Sequence, residues 1–184
     1  FLKKFELKSE EPIFVIAPGS RPSELKKHLT TIINALPKIQ NVIGKIQFIL
    51  PLAESLNIEE TINILRSSSI TVKIIKGHFV ESIHSCHAAI VASGTASLQV
   101  GLALKPFILI YKVAPITFWI AKAISHTKYL GMVNILAEKE IVPELLQNDF
   151  NINNLTAKSI RILQDADYRA RMISELKYTR TKLG

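Results

Sequence analysis

Apolar residues fall along the chain in two kinds of run. Short ones at 13–17, 46–50, 72–75, 88–92 and 107–111 have the length of strands, with Gln47 and Lys73 as the polar residues inside them, and the continuous run 88–92 has the composition of a strand covered on both faces. Between them, apolar positions recur at three- and four-residue spacing. The stripe Leu25, Leu29, Ile32, Ile33 and Leu36 predicts a helix over 25–36, and similar patterns predict helices over 58–65, 79–87 and 98–104. Pro22 suits the first turn of the first helix, with Ser20 or Ser23 as its cap, and Pro51 reads as the end of the second strand. An apolar, aromatic-bearing helix is expected over 116–125, two more over 139–147 and 151–164, and a charged one over 165–183. Alternation of strand and helix from Ile13 to Tyr111 means an α/β fold, a doubly wound parallel sheet with helices on both faces. Ligands of such sheets lie outside the carboxyl ends of the strands. Residues 1–11 read as a linker, 12–150 as the sheet domain and 151–184 as terminal helices.

The 184 residues suffice for one domain with a sizeable core. Hydrophobic content is 48% and mean hydropathy +0.24, yet no uncharged apolar run reaches the 18 residues that a membrane span needs. The chain opens on Phe1 and two lysines, with no signal-peptide apolar region, and reads as a piece of something longer. Its single cysteine, Cys86, forms no internal disulfide, fits a reducing compartment and reads as core. The net charge of +8 is unevenly placed. No Asp or Glu lies between Glu81 and Glu138, an interval that holds Lys105, Lys112, Lys122 and Lys128. Such a surface favours phosphates, anionic lipid or nucleic acid. Sparse aromatics, not interleaved with basic residues, argue against nucleic acid.

Two turns carry the candidate chemistry. Ser93-Gly94-Thr95 follows the strand 88–92; Gly94 permits a sharp turn, and Ser93 or Thr95 would cap the next helix. The amides of Thr95, Ala96 and Ser97 would then point out of the sheet edge at the positive end of a helix dipole, a site suited to phosphate. Gly19-Ser20-Arg21 follows the strand 13–17 and adds a guanidinium that pairs bidentately with phosphate. Either turn alone is an ordinary strand–helix connection; two at one edge favour the phosphate reading. Neither is a Rossmann fingerprint or a P-loop. His28, His78, His84, His87 and His126 are scattered, without metal-ligand spacing, and read as helix-surface residues. No serine nucleophile elbow is visible, and the first aspartate is Asp149.

Five stretches in order resemble the carboxyl-terminal half of bacterial lipid A disaccharide synthases. They are I-A-P-G-S-R-P-S-E at 16–24, A-S-G-T-A-S-L at 92–98, P-F-I-L-I-Y-K-V at 106–113, T-F-W-I-A-K at 117–122 and N-I-L-A-E-K-E-I-V-P-E-L-L-Q at 134–147. The resemblance covers 12–147, and the last two stretches are specific to the family. It implies the Rossmann-like carboxyl-terminal domain of a GT-B glycosyltransferase, the half that binds the UDP-sugar. It implies transfer of 2,3-diacylglucosamine from UDP to the 6-hydroxyl of 2,3-diacylglucosamine 1-phosphate, giving the β-1,6 disaccharide with inversion and without cofactor or metal. Gly19, Ser20, Ser93, Gly94, Thr95 and Ala96 are then expected around the diphosphate, with Arg21 stabilising the leaving group. Asn134 and the 137–140 turn are expected to close around the nucleotide, with Gln99 and Glu140 on the ribose.

The sequence departs from the family pattern at Gln99, where glutamate is usual, at Glu138, where glycine is usual, and at Val133, where proline is usual. The general base and acceptor pocket belong to the family's other half, and the family's final helix lies beyond Gly184, so this piece alone is expected to be inactive. The resemblance implies a peripheral place on the inner face of the bacterial inner membrane. The helix 116–125, with Phe118, Trp119 and Lys122, and Lys128 beyond it, is either a core helix or one resting on an anionic bilayer. A homo-oligomer is compatible with these features. The competing readings are a catalytically inert UDP-binding or membrane-associated module, a MurG-like UDP-N-acetylglucosamine transferase and a UDP-sugar epimerase; the two family-specific stretches argue against the last two.

Overall fold

The computed structural model of the chain describes residues 1–113 and 128–182. Six strands form one sheet: β1 (Ile13–Ala17), β2 (Gln47–Leu52), β3 (Val72–Lys76), β4 (Ala88–Ala92), β5 (Phe107–Tyr111) and β6 (Glu144–Leu146). Among the described residues the helices are α1 (Pro22–Ile43), α2 (Ile58–Leu65), α3 (Phe79–Ser85), α4 (Thr95–Leu102), α5 (Met132–Ala137), α6 (Ile152–Gln164) and α7 (Ala166–Thr181). All strand pairs are parallel, in the order β3-β2-β1-β4-β5-β6. This is the doubly wound α/β sheet that the alternation predicts. The chain builds outward from β1 to β3, then crosses back to place β4 on the other side of β1, with Phe14 beside Ala88 and Ala17 beside Val91. Helices leaving β1 and β4 diverge, so a crevice opens at the carboxyl ends of these two strands.

Burial explains why the central strands were legible. Every residue of β1 and β4 is buried, and burying each large aliphatic side chain stabilises the fold by roughly 1.5–3 kcal/mol. The stripe of α1 (Leu25, Leu29, Ile32, Leu36, Ile39) is at most 1% exposed.

The structure corrects several boundaries. α1 does not stop at Leu36 but runs through Pro37 to Ile43, ending at Gly44 with φ +81°. Burial of Ile39 against the core outweighs the backbone bond that Pro37 cannot donate. Its N-cap is Arg21, without a side-chain cap, in place of Ser20 or Ser23. Pro51 lies inside β2, but pairing with β1 ends at Ile49, so its missing N–H removes no bond there. The helix expected over 139–147 is a turn followed by β6; Pro143 interrupts the helical pattern, and the Leu145 and Leu146 backbone completes the sheet beside Ile110 and Tyr111. Residues 1–11, expected as a linker, are held against β2 and β3. The Gln47 side chain accepts from Lys8 N at 2.9 Å and donates to Lys8 O at 2.8 Å, and Lys73 Nζ donates to Phe5 O. The expected helix over 116–125, with Phe118, Trp119 and Lys122, lies outside the described residues. Among the described residues no helix is long and apolar enough to cross a membrane.

Candidate functional site

Two chain reversals meet where the strand order switches. After β1, Pro18-Gly19-Ser20-Arg21 leads into α1; after β4, Ser93-Gly94 leads into α4. Gly19 has φ +120° and Gly94 φ +149°, backbone that residues with a Cβ rarely adopt. Between the turns lies a cleft of about 470 Å³. Gly19, Ser20, Arg21 and Glu24 line it from the first turn, and Ser93, Gly94, Thr95, Ala96 and Gln99 from the second. The ends of β2 and β3 add Pro51, Leu52, Ala53, Gly77 and Phe79. Eight of the ten expected residues are thus brought together.

At the second turn the N-cap is Gly94, not Ser93 or Thr95, and it offers no side-chain cap. The amides of Thr95 and Ala96 therefore have neither a carbonyl one turn back nor a capping oxygen. Ser97 turns the Gly94 carbonyl inward, bonding it through both its N–H (3.1 Å) and its Oγ (2.7 Å). A Cβ built on Gly94 meets no protein atom within 4 Å. The turn therefore presents bare donors to open space at the positive end of a helix.

Arg21 and Glu24 are the charged residues lining the cleft. They pair at 3.2 Å, with the Arg21 side chain 79% exposed. An exposed pair contributes at most about 1 kcal/mol, so a phosphate offering two acceptors can take the guanidinium from Glu24. A Cβ on Gly19 would run into Glu24 Oε2 and stand 2.8 Å from Glu24 Cβ. Glu24, Gly77 and Phe79 were not singled out from sequence. Gly77, with φ +69° directly after β3, repeats the strand-then-glycine signal of the other two turns.

Asn134 and Glu140 do not line this cleft. The Asn134 carboxamide is fully buried. Its Oδ1 accepts from Ile141 N (2.7 Å) and Val142 N (3.0 Å), and its Nδ2 donates to Val142 O and Glu144 Oε1, both at 2.8 Å. Glu144 also accepts from Leu130 N and Gly131 N. Asn134 is a brace for the entry to β6, with no side-chain group left for a nucleotide. Glu140 is exposed and precedes the amino end of β6; its charge acts on Tyr168 at the start of α7. The 137–140 turn thus sits at the opposite edge of the sheet from the cleft, with Lys139 paired to Glu175 at 2.6 Å.

Two histidines expected on helix surfaces are structural acceptors. His28, 1% exposed, accepts from Lys112 N at Nε2 (3.2 Å), and its Nδ1 lies 2.6 Å from Pro18 O. His87 Nδ1 accepts from Ile13 N at 3.0 Å. Both bonds need a neutral ring. Burial holds each imidazole below its ordinary value; Glu24 and Lys27 also act on His28, and Lys105 and Arg169 on His87. Between the ordinary value of 6.5 and the lowered folded values, the unfolded chain binds more protons than the native one, so stability falls as pH falls through that window. Urea unfolding is expected to give a midpoint unchanged between about pH 7 and 8 and lower at about pH 5.5; a midpoint that rises on acidification contradicts this. Cys86 is core as expected, and burial pushes its thiol up to about 12. Among the described residues no three His, Cys, Asp or Glu side chains converge as metal ligands.

The fold has counterparts among solved glycosyltransferases and epimerases. The calicheamicin glycosyltransferase CalG4 superposes with a TM-score of 0.60 at 12% identity, covering 94% of this chain and 40% of that one. A UDP complex of the S. aureus protein MnaA gives 0.59 at 11%, covering 93% and 40%. These likenesses establish a Rossmann-like domain of the GT-B type. Sequence relatives are nearer. The lipid-A-disaccharide synthase of Coxiella burnetii (strain Dugway 5J108-111) is 34% identical over 181 residues, 98% of this chain and 47% of the relative. Lipid-A-disaccharide synthase 1 of Legionella pneumophila is 33% identical over 174 residues, 95% and 45%. The chain thus spans about half the length of the curated relatives it matches. The family model for lipid-A-disaccharide synthetase matches residues 2–183, and the chain belongs to that family, a family of glycosyltransferases of lipid A synthesis.

Proposed function

We propose that the cleft between β1 and β4 holds the diphosphate of a UDP-sugar, and that this chain is the donor-binding half of a hexosyltransferase. In this reading the complete protein moves 2,3-diacylglucosamine from UDP to the 6-hydroxyl of 2,3-diacylglucosamine 1-phosphate. The acceptor oxygen attacks the anomeric carbon from the face opposite UDP, the carbon–oxygen bond to UDP breaks with inversion, and the acceptor proton goes to a base in the other half. The observation that carries the reading is the convergence of two glycine turns, the first-turn amides of α4 and one arginine on a single cleft. Charge develops on the leaving UDP, and donors already fixed in place stabilise it without reorganising. In this reading the Thr95 and Ala96 amides and the Arg21 guanidinium supply that stabilisation without a metal, and Gln99, which lines the same cleft, is assigned to the ribose. Among the solved structures of similar fold, the S. aureus protein was solved with UDP.

The net charge of +8 and the two acyl chains expected on each substrate favour peripheral association with the anionic inner face of the bacterial inner membrane. The test joins this chain to the amino-terminal half of the Coxiella burnetii relative and assays the chimera with both diacylglucosamine substrates. A β-1,6 disaccharide from the chimera, and none from the 184-residue chain alone, is expected. A folded chimera that binds UDP but makes no disaccharide would replace this reading with that of an inert UDP-binding module.

A further inference from the structure

Deep beneath the first turn, His28 joins two loops that belong to different halves of the sheet. It lies on the buried face of α1. A backbone N–H only donates and a carbonyl only accepts, so the two contacts fix the tautomer: Nδ1–H donates to Pro18 O at 2.6 Å, and Nε2 accepts from Lys112 N at 3.2 Å. The ring is set by Phe150, which meets it edge-on at 5.6 Å and 81° between planes. At 1% exposure no water replaces either bond.

The consequence for the cleft follows from peptide geometry. Pro18 C=O and Gly19 N–H belong to one planar trans peptide and point in opposite directions. Drawing the Pro18 carbonyl inward onto His28 therefore aims the Gly19 N–H outward, and Gly19 lines the cleft. Gly19 has φ +120° and carries no side chain of its own; the neighbouring side chain is that of Glu24, whose carboxylate is paired with Arg21. Ser55 Oγ donates to Ser20 O at 3.3 Å and steadies the Ser20–Arg21 peptide of the same turn.

We propose that His28 is a positioning residue of the diphosphate site: by holding the Pro18 carbonyl it turns the Gly19 amide toward the β-phosphate. This rests on the reading of the cleft as a UDP-sugar site. Two carboxamide variants separate the two arms of the ring. His28→Asn retains a donor where Nδ1 stands and keeps the bond to Pro18; His28→Gln reaches to Nε2, keeps the bond to Lys112 and releases Pro18. The measurement is the affinity of each folded variant for UDP and for UMP, which lacks the β-phosphate. His28→Gln is expected to lose about tenfold for UDP, the effect of one well-aligned charged hydrogen bond, while its UMP affinity stays within about twofold of the unaltered chain. His28→Asn is expected to keep the unaltered ratio of UDP to UMP affinity. A purely structural histidine would lower stability in both variants without moving that ratio, and an unmoved ratio in His28→Gln overturns the proposal. The unaltered chain supplies an independent reading by amide NMR. The Gly19 N–H signal is expected to shift with UDP and not with UMP, and a Gly19 signal blind to UDP while those of Thr95 and Ala96 respond overturns it equally. Equal affinity of the unaltered chain for UDP and UMP would remove the UDP-sugar reading itself, and this inference with it.

Discussion

Replacing Gly94 by valine is expected to lower the affinity for UDP by at least about a hundredfold while leaving the chain folded. Two effects combine. Gly94 has φ +149° and ψ −165°, a region occupied almost only by glycine, and holding another residue there costs on the order of 1–3 kcal/mol. The turn relaxes by rotating the peptides that lead into Thr95 and Ala96, which carry the exposed amides. The valine side chain meanwhile enters space that is open to the cleft, where a Cβ meets no protein atom within 4 Å. Because there is no clash with the core, the fold retains most of a stability typically about 5–15 kcal/mol. Calorimetric titration with UDP, alongside urea unfolding, separates the two effects. A folded Gly94→Val chain that binds UDP within about threefold of the unaltered chain would contradict the role given to the α4 amides.

Asn134→Leu is expected to do the reverse. Leucine fills the same volume but removes all four hydrogen bonds of a carboxamide that is fully buried. Two backbone amides, one carbonyl and one carboxylate oxygen lose a partner where water has little access. Each buried group left unsatisfied costs about 1–3 kcal/mol. Because Glu144 keeps its bonds from Leu130 N and Gly131 N, the total is expected near 3–5 kcal/mol, in the range of the most damaging single substitutions. Urea unfolding reads that loss directly. UDP affinity of the remaining folded molecules is expected to be unchanged, since Asn134 does not line the cleft. Native stability combined with lost UDP binding would reassign Asn134 from brace to ligand contact.

That residue shows where sequence reasoning runs out. The stretch 134–147 marks the family, but a motif does not say whether its residues touch a ligand or one another. Asn134 and Glu144 belong to one stretch and meet each other, and only burial separates that from a shared ligand. The central strands were legible because a strand covered on both faces leaves an uninterrupted apolar run, as in β1 and β4. β6 was not, because Leu145 and Leu146 lie among charged residues at helix-like spacing and the strand is three residues long. The cleft turns were legible because glycine directly after a buried strand demands a special backbone, true of Gly19 and Gly94. Gly77 sends the same signal after β3, a strand whose two lysines, Lys73 and Lys76, make it look less like a core element. His28 was unreadable: a histidine on an apolar stripe carries no mark of the two backbone groups, 10 and 84 residues away, that it joins.

The most direct test of the diphosphate site is calorimetric titration of the 184-residue chain with UDP and with UMP in the presence of EDTA. Saturable binding of UDP at one site, weaker binding of UMP, and no change when magnesium replaces EDTA are the expected results. UDP and UMP bound equally by a folded chain, or UDP bound only when magnesium is present, would contradict a diphosphate held by the Thr95 and Ala96 amides and Arg21.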